Sequence, residues 1–89
     1  MNNFSAEQMK AARMLLGWDQ AKLATAAAVG IATVKRIEVG TGALQSTLRI
    51  AEKIKLALES AGIEFLGTPD VMPGVRLTII KAPEGNSTT

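Results

Sequence analysis

Lys35 and Arg36, near the end of the stretch QAKLATAAAVGIATVKRIE (Gln20–Glu38), are the side chains of this chain best suited to recognising another molecule. An arginine fork satisfies both acceptors of a guanine edge, O6 and N7, while a lysine ammonium suits a phosphate as a point charge. They belong to a local basic surplus: Lys22, Lys35, Arg36, Arg49, Lys53 and Lys55 against Asp19, Glu38 and Glu52. The whole chain is only mildly basic, ten Lys and Arg against eight Asp and Glu for a net charge of +2. An ordinary solvated surface shows a surplus of this size too, so charge supports a polyanionic partner without establishing one. Other chemistries lack their residues. Cys and His are both absent, which removes thiol nucleophiles, imidazole bases and most zinc geometries. No Ser, Thr or carboxylate constellation replaces them, so neither catalysis nor a cofactor is expected.

Positioning those cations requires the rest of the same stretch. Leu23, Ala24 and Ala27 fall on one stripe of a short helix, Val34 and Ile37 give the i, i+3 stripe of a second, and Val29 is expected to be buried in the turn between them. Two helices meeting at about 90 to 120° leave little room where they cross, so the small side chain of Ala24 is needed there sterically. This is the pattern of a helix-turn-helix, a reader of double-stranded DNA. A plain helical hairpin whose alanines express helix propensity alone is the simpler alternative.

From Leu15 to Gly40, LLGWDQAKLATAAAVGIATVKRIEVG, the chain resembles the Cro/C1-type (XRE) family of bacterial and phage DNA-binding regulators. The family order is Gln-x-x-Leu-Ala, a turn glycine, a buried valine, then Thr-Ile/Val-x-x-Ile-Glu-x-Gly. Here Gln20, Leu23, Ala24, Val29, Thr33, Val34, Ile37, Glu38 and Gly40 carry it, and the match extends over residues 5 to about 61. Two positions depart. Ala28 replaces the turn glycine, at a cost if it must adopt positive φ, and Gly30 replaces the Ser or Thr cap of the second helix.

The resemblance implies roles residue by residue. Gln20 matches the family's phosphate-binding glutamine, whose amide and the adjoining helix N–H groups donate to a phosphate oxygen; Asp19 beside it serves as the helix cap. Ile31, Ala32, Lys35 and Arg36 match the outward positions that face the major groove. Arg36 is the best base reader, a contact worth about 1 to 3 kcal/mol of discrimination. Ile31 and Ala32 would read thymine methyls or exclude water, and Lys35 would meet phosphate. Arg13 and Glu38 match a pair joining the first helix to the end of the reading helix. Trp18, the only tryptophan, is expected as a lid on the core, since duplex DNA offers it nothing to stack upon.

The remaining elements follow from capping and periodicity. Ser5 and Gln8 form a capping box for a helix running to about Leu16, with Met9, Ala12 and Leu16 inward and Gly17 as its stop. Helices over about Gln20–Ala27 and Ile31–Glu38 come next, then the glycine-rich VGTGAL (Val39–Leu44), then a long helix from Ser46 or Thr47 to about Ala61, closed by Gly62. On that helix Ile50, Ala51, Ile54, Ala57, Leu58 and Ala61 share one face, whereas Leu48 and Leu56 do not. The two leucines are either scattered exposed residues or contacts for a second packing partner. IEFL (Ile63–Leu66) and VRLTII (Val75–Ile80) are predicted as an antiparallel hairpin with a long loop. Such a hairpin is marginal alone. It must complete the monomer core or pair with a second copy, in which case Leu56, Val75, Leu77 and Ile79 are the candidate dimerisation residues.

The expected fold is mainly α, a lambda-repressor-like helix-turn-helix bundle over residues 1–62, with a C-terminal β-hairpin over 63–81 and a disordered tail over 82–89. The expected function is sequence-specific binding of double-stranded DNA by a homodimer on a palindromic operator, as a Cro-like repressor or autoregulated switch. One alternative is an antitoxin whose C-terminal segment neutralises a toxin protein while the helices repress its own operon. Another is an interaction module with a degenerate helix-turn-helix. With no leader pattern and no run of about 20 apolar residues, no membrane association is expected. The implied location is the bacterial or phage-infected cytoplasm, at the nucleoid.

Overall fold

A computed structural model of the protein describes residues 4–40 and 46–78. Its elements are α1 (Ala6–Leu15), α2 (Gln20–Ala27), α3 (Ile31–Glu38), α4 (Leu48–Ser60), β1 (Ile63–Leu66) and β2 (Gly74–Leu77), so the described chain is mostly helical with one hairpin. Most of VGTGAL, together with Ile79, Ile80 and the expected tail over 82–89, lies outside the described residues. No described helix is long and apolar enough to cross a membrane.

The helix starts follow the capping chemistry. Ser5 Oγ accepts from Gln8 N at 3.0 Å and Gln8 Oε1 accepts from Ser5 N at 2.8 Å, the reciprocal capping box. Asp19 Oδ1 accepts from Lys22 N at 2.7 Å to start α2, and Thr47, rather than Ser46, caps α4 through Ile50 N. α1 ends one residue before the expected Leu16, which becomes its C-cap and still packs on the core.

One apolar cluster joins all of these elements. Met9 and Ala12 of α1, Leu23, Ala24 and Ala27 of α2, Val34 and Ile37 of α3, and Ala51, Ile54 and Leu58 of α4 are buried together with Ile63 of β1. Ile50, Ala57 and Trp18 lie half-buried at its margin, which places Trp18 as the lid its position suggested. Phe4 is also wholly buried, its ring 4.8 Å from that of Phe65.

The strands pair antiparallel with Ile63 opposite Leu77 and Phe65 opposite Val75. Those four side chains lie on the core side, while Glu64 and Arg76 pair across the exposed face. β2 begins at Gly74, one residue before the expected Val75. The hairpin is joined tightly to the end of α4. Gly62 has φ 109°, and a Cβ there would lie 2.8 Å from the Thr78 carbonyl oxygen, so only glycine fits.

Candidate functional site

The α2–α3 corner sets the geometry of the predicted reading surface. α2 ends with Ala28 in the left-handed conformation, φ 58° and ψ 45°. The turn is held from both sides: Val29 N donates to Ala24 O at 3.0 Å, and Thr33 N and Val34 N both donate to Gly30 O. From α4, Lys53 Nζ donates to Ala28 O at 3.2 Å. Gly30 is the N-cap of α3 and supplies no side-chain bond, in line with its weakness as a cap.

α3 divides into two faces because its apolar residues recur at i, i+3. Val34 and Ile37 are wholly buried, and Thr33 is partly covered. Ile31, Ala32, Lys35 and Arg36 are all exposed, with Ile31 at 41%. The structure therefore brings the four residues matched to groove-facing positions onto one outward surface, anchored by the core beneath. Lys35 and Arg36 stand in the last turn, where cations also suit the negative end of the helix.

Arg13 reaches across from α1. Its Nε donates to Glu38 Oε2 at 2.8 Å and its Nη2 to Glu38 Oε1 at 3.1 Å, while Nη1 donates to Trp18 O at 2.7 Å. The two side chains are 14% and 4% exposed. This is a desolvated fork-on-carboxylate pair at the end of α3. Glu38 Oε1 also accepts from Gln20 Nε2 at 3.0 Å. Gln20 thus stands at the start of α2 with one amide N–H committed inward.

The three described candidate dimerisation residues do not form one exposed surface. Val75 and Leu77 pack half-buried against this chain's own core, so their side chains complete the monomer. Leu56 is 66% exposed on α4 and Leu48 60% exposed; the hairpin covers neither. Ile79 lies outside the described residues.

Two roles were missed in reading the sequence. The first is the inward bond of Gln20. The second belongs to Gln8, whose Nε2 donates to Leu66 O at 2.9 Å and to Gly74 O at 2.8 Å. The capping box identifies Gln8, yet nothing in its spacing points 58 and 66 residues ahead to the mouth of a hairpin. For Gln20 a signal existed: matching Glu38 to the Arg13 pair already places a buried carboxylate beside the first turn of α2.

Among the described residues no group of three or more acidic, His or Cys side chains is placed to hold a metal ion. No protein-family model matches this chain, and no curated protein matches its sequence.

Proposed function

We propose that the protein is a sequence-specific double-stranded DNA-binding regulator of the Cro/C1 type, with a lambda-repressor-like helical domain and α3 as its reading helix. The supporting observation is the division of α3. Two residues lock it into the core while Ile31, Ala32, Lys35 and Arg36 share an exposed outward face. A helix presented in this way fits the major groove, about 12 Å wide. Arg36 reads a guanine, Ile31 and Ala32 meet thymine methyls, and Lys35 and Gln20 take phosphates on either side.

A single reading helix spans only a few base pairs. The active form is accordingly a homodimer, with two reading helices about 34 Å apart on a palindromic operator. Selection of duplexes from a random pool with the full-length protein tests this. The expected product is a palindromic site with a guanine at a fixed position in each half. A pool that shows no enriched sequence after repeated rounds would reject the assignment.

A further inference from the structure

Two exposed apolar features find no cover among the described residues, and the charges at their edges, Asp70 at one and Lys53 and Lys22 at the other, are opposite. The first is the tip of the hairpin. Thr68 and Val71 exchange backbone hydrogen bonds of 3.0 and 3.2 Å, and Thr68 Oγ1 accepts from Val71 N at 3.1 Å. Gly67 has φ 70°, and a Cβ there would collide with the Val71 and Met72 carbonyl oxygens. Met72 itself sits at φ 49°, a conformation that costs a non-glycine residue on the order of 1 to 3 kcal/mol. This well-built turn leaves Val71 61% and Met72 86% exposed, beside an exposed Asp70. The turn closes the hairpin, but the Val71 and Met72 side chains that it carries add little to the packing of the monomer, being exposed.

The second feature is a groove of about 430 Å³ between α2 and α4, lined by Trp18, Ala26, Leu56, Ala57 and Ala61 with Lys53 at its rim. Lys22 Nζ, 5.7 Å from the Trp18 ring centroid, adds another cation beside it. The groove reaches Ala61, at the base of the hairpin where β1 starts at Ile63. The tip lies at the far end of the strands, roughly 13 Å of extended chain away, so the length of the strands separates a tip from its own groove. A twofold arrangement that lays two hairpins antiparallel reverses this and sets each tip beside the other copy's hairpin base.

We propose that the Asp70-Val71-Met72 tip docks into the α2–α4 groove of a second copy of this chain, reciprocally about a twofold axis. The Met72 thioether meets the Trp18 ring, Val71 covers Leu56 and Ala57, and Asp70 pairs with the Lys53 ammonium. Reciprocity closes the assembly at two copies instead of propagating a fibre. The inference rests on the proposed function and deepens it by naming the surface that makes its dimer, but its observations come from the hairpin tip and the α2–α4 groove and not from the outward face of α3.

Sedimentation equilibrium of the full chain without DNA tests it. The wild type should dimerise, and Asp70→Lys and Lys53→Asp should each weaken dimerisation about tenfold or more, whereas the charge-exchanged double variant recovers most of the loss. Met72→Ser, on an exposed turn where the fold is not at stake, should weaken it similarly. A wild-type chain still monomeric at about 1 mM, its groove left to a small ligand or a different protein, would overturn the proposal. So would single variants that dimerise like the wild type, or a double variant that recovers nothing. Arg36→Ala should dimerise normally, so a dimer that binds no DNA rejects the DNA-reading function alone, and a monomer that binds DNA rejects the interface alone.

Discussion

Ala28 carries the clearest conflict between residue type and backbone in the α2–α3 corner. At φ 58° and ψ 45° its Cβ crowds the following carbonyl, a strain of about 1 to 2 kcal/mol. Glycine relieves that strain but adds about 0.4 to 1 kcal/mol of unfolded-state entropy. The difference favours glycine, so Ala28→Gly should stabilise the protein by about 0.5 to 1 kcal/mol, read as a higher denaturant midpoint at unchanged slope; a lower midpoint would show that the methyl makes contacts worth more than its strain. At Arg13 and Glu38 the balance is different. Neither charge is well solvated, Glu38 being 4% exposed, and removing one partner strands the other. Arg13→Met should therefore cost about 3 to 5 kcal/mol, while Arg13→Met combined with Glu38→Leu should recover much of it. Chemical denaturation of the two variants decides the point. Recovery of nothing in the double variant would mean that the pair, and not the avoidance of a lone charge, supplies the stability.

At the scale of elements, the helices were legible because their ends are written in local chemistry. Ser5 with Gln8, Asp19 and Thr47 each satisfy free N–H groups within three residues of themselves, and the apolar stripes between them have a single period. Long-range use of the same residues was not legible. Gln8 spends its Oε1 on the α1 cap and its Nε2 on the hairpin mouth, and Phe4 meets Phe65 far along the chain; neither contact leaves a trace in spacing. The candidate reading face was visible from the buried partners of α3, whereas the inward tie of Gln20 depended on how α2 and α3 cross. The double use of Gln8 carries its own prediction. Gln8→Ala leaves the Ser5 N–H and the Leu66 and Gly74 carbonyls short of partners, and buried groups left so cost about 1 to 3 kcal/mol each, less where water enters. We expect a loss of about 2 to 4 kcal/mol, accompanied by faster amide exchange in β1 and β2 than in α3. Uniform acceleration everywhere would mean that the hairpin does not loosen separately.

For the molecule as a whole, the structure treats the hairpin as part of the core. Ile63 is buried with α1 to α4, and Val75 and Leu77 pack on the same cluster. Ending the chain before Gly67 should thus lower stability by about 2 to 4 kcal/mol from the lost apolar burial, besides removing the proposed docking tip; an unchanged unfolding midpoint would make the hairpin a detachable module. The proposed reading of bases rests on α3, whose inner face is locked in the core by Val34 and Ile37. Fluorescence anisotropy on a selected duplex and on the same duplex shuffled, with wild type, Gln20→Ala and Arg36→Ala, tests it most directly. Arg36→Ala should weaken the selected duplex by about 1 to 3 kcal/mol and relax preference at one base pair per half-site, while Gln20→Ala weakens both duplexes alike. Equal losses on both duplexes from Arg36→Ala, or a wild type that does not distinguish them, would contradict the account.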